Sequence, residues 1–190
     1  TAPDGLAAFL IEPGAKGLAV GEREKNMGIR ALETFPVALD AVRVPATHRL
    51  GGEGADLQPL IDASRVASAA LAVGVARAAF DYSREYAKER RAFGVAIAQK
   101  QSIAFMLSNM AIEIDAMRLL AWEAAWRLDK PLAARREGCL ARDYAAKASL
   151  KITDDAVQVL GGHGYIRDHM VELWLRNARG FASLDGLAIV

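Results

Sequence analysis

Apolar positions recur at helical spacing through much of the second half of the chain. In residues 103–128 they fall at steps of three and four, which places them on one helical face. Polar residues such as Asn109, Glu113 and Glu123 lie off that face. The pattern predicts a long amphipathic helix whose buried positions are Ile103, Met106, Leu107, Met110, Ile114, Met117, Ala121, Ala124 and Leu128.

Three further segments predict helices. Residues 59–91 are rich in alanine and apolar on several sides, which is typical of a central helix packed by neighbours. Another helix is expected over about 132–160, ended by Gly161 and Gly162, because glycine accepts the left-handed conformation common at helix ends. The last is predicted over 170–179. Four helices with short connections indicate an antiparallel four-helix bundle.

The first third of the chain has a different pattern. All prolines except Pro131 fall there, and short apolar runs at 6–11, 35–39 and 41–44 end at turn signals. These runs predict strands and loops, followed by a hinge at Gly51, Gly52 and Gly54. The fold is therefore expected to be mainly α. Residues 1–52 form a few β-strands of an incomplete β-domain, and residues 53–190 form the four-helix bundle.

Composition narrows the class of protein. The chain is 53% hydrophobic with a formal net charge of +1, which suits a folded protein and argues against a nucleic-acid-binding role. The single Cys139 allows no intrachain disulfide, so a reducing compartment is expected and a cytoplasmic location is predicted. The longest near-apolar run, 66–76, is too short to cross a bilayer, so no membrane span is expected. Because Thr1 is not a natural start, we expect upstream residues.

Metal and serine chemistry find little support in the sequence. His48, His163 and His169 are scattered, and the spacings of a zinc or di-iron site do not occur. No Gly-x-Ser-x-Gly turn presents a serine nucleophile. We therefore predict no metal site and no covalent serine catalysis.

Three short segments offer chemistry, although each also has a structural interpretation. Arg90, in a basic cluster before Phe93 and Gly94, could grip a diphosphate or simply favour a helix end. The glycines of residues 158–165 could admit a phosphate or only cap a helix. Asp185, among apolar neighbours, could be a general base or an exposed turn residue.

Together these segments resemble the acyl-CoA dehydrogenase family. The resemblance lies in residues 89–94 with 101–111, in 158–165 and in 171–179. Residues 25–30 through 42–45 are similar to the end of that family's middle β-domain. The order and spacing match over essentially all 190 residues. The resemblance implies the last strands of that β-domain followed by the complete C-terminal bundle.

The resemblance also implies FAD bound at a subunit interface of a homodimer or homotetramer. Arg90 would contact the diphosphate of a neighbouring subunit's FAD, and Arg65 would contact the CoA part of an acyl-CoA substrate. The residues that the resemblance assigns to the cofactor are Arg90, Phe93, Gln101, Gln158, Gly161 and Gly162.

The resemblance implies α,β-dehydrogenation of an acyl-CoA thioester in fatty acid metabolism, with an electron acceptor such as electron-transfer flavoprotein. Asp185 occupies the position of the family's usual glutamate base, and Ser64 stands at a second base position where it cannot serve. Leu187 replaces a usual threonine, so one FAD contact is expected to be lost. The isolated fragment is expected to be inactive.

Three alternatives stay open from the sequence. A nitroalkane oxidase-like enzyme also uses an aspartate base and needs no CoA. A non-catalytic subunit could complete FAD sites on a partner, and Asp185 would then be dispensable. A helical interaction module would bind no flavin at all.

Overall fold

The computed structural model describes residues 7–52, 54–130, 132–185 and 188–189, with side chains up to Ser183. Within these ranges the chain is mainly helical and a few short strands are present, as the sequence predicts. The helices are α1 (Gln58–Glu89), α2 (Gln101–Leu128), α3 (Arg135–Leu160) and α4 (Val171–Phe181).

Local sequence explains where these helices begin and end. Pro59 lies in the first turn of α1, where a missing N–H costs no helical hydrogen bond. Gly161 ends α3 with φ of 60°, a backbone conformation that glycine adopts without steric cost. A short 3₁₀ helix, Gly161–Tyr165, then leads towards α4.

The helices are aligned by contacts at both ends of the bundle. Near the start of α1 and α3, Nη1 of Arg65 lies 3.1 Å from Sγ of Cys139. Near their ends, the hydroxyl of Tyr86 lies 2.7 Å from Nδ1 of His163. α1 and α3 therefore run in the same direction, and α2 runs against them, since its Arg127 reaches Glu137 at the start of α3.

Small residues let α1 and α3 approach closely. Alanines of α1 at positions 69, 72, 76 and 79 are buried, and so are alanines of α3 at 141, 145, 148 and 156. α2 contributes larger side chains to the same core, all on its predicted face. These buried positions of α2 are Met110, Ile114, Met117, Ala121 and Ala124.

The strands form two-stranded antiparallel sheets. In the described part of the first run, residues 7–11, the chain forms an isolated bridge between Phe9 and Arg49 and no strand. Residues 41–44 form no strand either, so these two strand predictions are wrong. The run 35–39 does contain a strand, at 37–39, and it pairs with residues 18–20, where no strand was predicted. The pairs are β1 (Leu18–Val20) with β2 (Val37–Leu39), β3 (Arg91–Ala92) with β4 (Val95–Ala96), and β5 (Leu184–Asp185) with β6 (Ala188–Ile189).

One described helix, α1, is long and apolar enough by length and composition to cross a membrane, and 22% of its most apolar window is buried. This is weak evidence for a span, because core helices of folded proteins meet the same criterion. α1 packs against α2, α3 and α4, and it carries ion-paired Arg77 and Asp81.

Candidate functional site

The end of the bundle where α1 and α3 finish and α2 begins holds the residues predicted from the glycine-rich and basic segments. A cavity of about 290 Å³ opens there. Three residues predicted from sequence, Arg90, Gly161 and Gly162, line this cavity together although they come from distant segments. The cavity wall also includes Tyr86, Ile97, Val159 and His163.

Arg90 is fixed at this end by its own backbone. Its N–H donates to the carbonyl of Tyr86 at 2.8 Å, and its carbonyl accepts from the N–H of Ile97 at 2.8 Å. The side chain itself is exposed beside the cavity. A guanidinium held in this way can present a planar pair of donors to a phosphate.

Phe93 lies at the turn of the β3–β4 hairpin beside a second cavity of about 420 Å³, which Lys100 and Ser102 also line. Its side chain is 94% exposed, and its φ of 54° is left-handed. Lys100 places its ammonium 5.5 Å from the Phe93 ring centre. Ile97 borders both cavities, so Phe93 and Arg90 lie on one continuous surface.

Gln101 and Gln158 belong to the same end of the molecule. Gln101 is the first residue of α2 and Gln158 lies in the last turn of α3, and both are exposed. Neither is among the residues that line the two cavities. Their assignment to the cofactor therefore stays a prediction from the resemblance.

Two tyrosine–histidine pairs support this end, and the sequence did not reveal them. Besides the Tyr86–His163 pair, the hydroxyl of Tyr82 lies 2.8 Å from Nδ1 of His169. The two imidazole rings stack with centres 5.4 Å apart. Tyr82 and Tyr86 share a face of α1 because they are four residues apart, which is the available signal. That His163 and His169 fold back onto this face is a tertiary contact, which helical spacing cannot predict.

Arg65 lies at the opposite end of the bundle. It precedes Arg90, the residue that directly follows α1, by 25 positions, which puts the two about 37 Å apart at a rise of about 1.5 Å per residue. Arg65 is half-buried against Cys139, with Asp62 3.9 Å away. The structure therefore does not bring Arg65 together with Arg90, and the two residues lie on separate surfaces.

Asp185 follows the end of α4. Its backbone lies in β5, opposite Ala188 of β6. Its side chain, and the whole of Leu187, lie outside the described residues. The assignment of Asp185 as a base therefore stays a prediction.

The residues at the α1–α3 end fit a nucleotide cofactor. The Arg90 cation, the exposed Phe93 ring and two glycines lie on one open surface. No other group lies within 4 Å of where a Cβ of Gly161 or Gly162 would be. In the part of the chain that the structure describes, no group of three or more His, Cys, Asp or Glu side chains is placed to hold a metal ion.

Known proteins share this sequence and this architecture. A family model described as the C-terminal domain of acyl-CoA dehydrogenase matches residues 53–188. An acyl-CoA dehydrogenase of Bacillus subtilis is 37% identical over 186 residues, covering 94% of this chain and 49% of that protein. CarC, the caffeyl-CoA reductase-Etf complex subunit of Acetobacterium woodii, is 35% identical over 189 residues, covering 98% of this chain and 50% of that protein.

The fold matches solved structures equally well. Butyryl-CoA dehydrogenase from Megasphaera elsdenii superposes with a TM-score of 0.86 at 33% identity, over 96% of this chain and 49% of that one. The bundle thus has the sequence and architecture of the C-terminal helical domain of acyl-CoA dehydrogenases. The chain belongs to the acyl-CoA dehydrogenase family, and it spans about half the length of the relatives it matches.

Proposed function

We propose that the complete protein is an FAD-dependent dehydrogenase that removes hydrogen from the α and β carbons of an acyl-CoA thioester. Membership of the family supports the reaction class. The observation that carries the proposal is the convergence of Arg90, Gly161 and Gly162 on one cavity, since Arg90 lies 71 positions before Gly161 in the sequence.

At the cofactor surface, this chain would supply charge, close backbone approach and an aromatic face. The Arg90 guanidinium would hold the diphosphate, and Gly161 and Gly162 would let the backbone approach the ADP part. Phe93 would lie along the cofactor, with Gln101 and Gln158 at its edges. Bound FAD supplies the hydride acceptor for the β-hydrogen.

At the substrate, Asp185 would remove the α-proton of the thioester. A carboxylate shielded from water has a raised pKa, which suits a general base acting on a weak carbon acid. Arg65 would hold the CoA part through its positive charge. The distance between Arg65 and Arg90 supports a division in which one chain serves its own substrate and a neighbour's cofactor.

The outer face of α2 supports association with a second copy of the chain. Large apolar side chains more than half exposed follow one another at steps of seven, seven, three and four, which is the spacing of a helix–helix seam. An exposed stripe of this kind is typical of a protein interface. The residues of this stripe are Phe105, Ile112, Leu119, Trp122 and Trp126. We propose a homodimer or homotetramer in which the stripe of one subunit packs against the same stripe of another.

We further propose electron-transfer flavoprotein as the electron acceptor and the cytoplasm as the location. The name of CarC, which describes it as a subunit of an Etf complex, supports the acceptor. The single half-buried Cys139 suits a reducing compartment.

The test is the substitution Asp185→Asn in the complete protein. We expect acyl-CoA turnover to fall by about 10²–10⁴-fold, the usual contribution of a general base, while the flavin absorbance of the purified protein is unchanged. Steady-state turnover with an artificial electron acceptor measures the first quantity and the visible spectrum measures the second.

Other outcomes would contradict the proposal. Unchanged turnover would exclude Asp185 as the base. Oxygen consumption with nitroalkanes, without any need for CoA, would indicate a nitroalkane oxidase-like enzyme. A complete protein that binds FAD only when mixed with a partner would be a non-catalytic subunit, and a colourless one that never binds it would be a helical interaction module.

A further inference from the structure

Residues 26–30 of the N-terminal segment are bonded directly to α4. The backbone N–H of Ile29 donates to Oδ1 of Asn177 at 2.8 Å. Nη1 of Arg176 donates to the carbonyl of Met27 at 2.9 Å. These two bonds join parts of the chain that are 148 and 149 residues apart.

The junction is closely packed at two glycines. A Cβ on Gly28 would overlap the carbonyl of Arg176, and a Cβ on Gly180 would overlap the side chain of Ile29. Glycine at position 28 is therefore a steric requirement of the junction, because the overlap there is with backbone, whereas at position 180 it is with the end of a side chain. Since rigid backbone and a branched side chain meet here, α4 has little freedom to slide or rotate against residues 26–30.

Ile29 is also held in an unfavourable backbone conformation. Its φ is 52°, and β-branched residues rarely adopt the left-handed region. Strain of this kind persists only where surrounding contacts fix the residue, and it clusters at functional positions. Here those contacts are the hydrogen bond to Asn177 and the packing against Gly180.

The junction lies immediately before the candidate base. α4 ends at Phe181, and the N–H of Ser183 donates to the carbonyl of Gly180 at 3.0 Å, closing a turn. β5 begins at the next residue and carries Asp185. The end of α4 therefore sets where the backbone of Asp185 starts.

We propose that Asn177 and Ile29 are positioning residues, which fix the C-terminal end of α4 and through it the location of Asp185. This inference rests on the proposed role of Asp185 as the base. Asn177 acts through the hydrogen bond from Ile29. Loss of that bond lets the end of α4 shift, and a displacement of about 1 Å at a reacting group can slow chemistry by about 10²-fold.

The experiment compares Asn177→Ala, Asn177→Ser and Asn177→Asp in the complete protein. Asp keeps an acceptor oxygen at the same reach, Ser keeps one at a shorter reach, and Ala has none. We expect kcat and the rate of α-proton exchange in deuterated water to rank Asp above Ser above Ala. The alanine variant is expected to lose about 10–100-fold, with KM and FAD content within about twofold of the wild-type values. The substrate is whichever straight-chain acyl-CoA thioester the wild-type protein turns over fastest.

Lys147→Ala is the control, because Lys147 is exposed on α3 and pairs only locally, with Asp143 of the same helix. It should change none of these rates. The positioning inference is overturned if wild-type protein exchanges the α-proton and Asn177→Ala does so equally fast, or if Asn177→Asp is as slow as Asn177→Ala. Failure of the proposed function itself looks different, since wild-type protein would then show neither exchange nor turnover. A misfolded alanine variant leaves the ranking of the serine and aspartate variants to decide.

Discussion

At the scale of single residues, Arg90 combines a fixed backbone with a free, charged side chain. Its N–H and carbonyl are both hydrogen-bonded, while the guanidinium is exposed at the cavity that Gly161 and Gly162 share. Anion binding would therefore cost rotamer freedom of the side chain but no further ordering of the backbone that carries it.

Arg90→Gln is therefore expected to weaken FAD binding. A hydrogen bond to a charged group contributes about 1.5–3 kcal/mol, which corresponds to an increase of about 10–150-fold in the dissociation constant. Calorimetric titration of the FAD-free complete protein with FAD measures this dissociation constant.

Arg84→Gln is the control for that measurement. Arg84 is also an arginine of α1, but it pairs with Glu85 and Asp81 away from the cavity. Its replacement should leave FAD affinity within about twofold of the wild-type value, because a screened surface ion pair contributes little. Equal effects of both substitutions would show that general charge, and not the diphosphate contact of Arg90, governs binding.

Sequence reasoning found the residues of this surface unevenly. Arg90 was visible in a basic cluster before Phe93 and Gly94, and the two glycines were visible because they interrupt a helical pattern. The partnership of Tyr86 with His163 was not, because an isolated histidine in sequence has no signal for what will fold onto it. Sequence also gave no sign that Ile29 would adopt a left-handed backbone, which tertiary contacts impose.

At the scale of elements, helices were predicted better than strands for a physical reason. The 3.6-residue period of α2 can be seen within the segment itself, and the face that it predicts is the buried face. A two- or three-residue strand carries too few positions to show a period. The sequence places a helix end at the basic cluster, where α1 does end, but it does not predict the β3–β4 hairpin whose turn Phe93 and Gly94 form.

Helix α4 contains an ion pair that makes its stability depend on pH. Nε of Arg176 donates to Glu172 at 2.7 Å, one turn earlier. This hydrogen bond lowers the pKa of Glu172 below its ordinary value of 4.5. A group whose pKa is lowered on folding stabilises the fold above its unfolded pKa, and that stability is lost as the pH falls through the lowered pKa.

We expect Glu172→Gln to flatten this part of the pH dependence. The free energy of unfolding of the wild-type protein should fall more steeply than that of the variant as the pH drops from about 5 towards 3. The two should differ by a constant amount above pH 5. Urea unfolding at several pH values, followed by circular dichroism, gives both curves.

Glu123→Gln is the comparison, since Glu123 has an i,i+4 arginine partner in α2 but its side chain is 50% exposed. Solvent screens that pair, so its removal should lower the free energy of unfolding at pH 7 by less than the removal of the Glu172 pair does. Parallel curves for wild-type protein and Glu172→Gln would contradict the assigned role of this carboxylate.

At the scale of the whole molecule, the bundle offers surfaces that a single chain does not cover. The apolar stripe on α2 and the exposed Phe93 both face outwards. Sequence could indicate the stripe through its spacing, but the pattern of one chain cannot identify what covers an outer face. The family resemblance, and not periodicity, led to the prediction of a shared cofactor site.

The length of α1 has a genetic consequence. If each chain offers Arg65 to its own reaction centre and Arg90 to its neighbour's, two different defective alleles can rescue one another. A hybrid of an Arg65→Ala subunit with an Arg90→Gln subunit concentrates both defects in one centre and leaves the other intact. Random pairing of equal amounts should restore about a quarter of wild-type activity, whereas centres built from one chain alone would recover none.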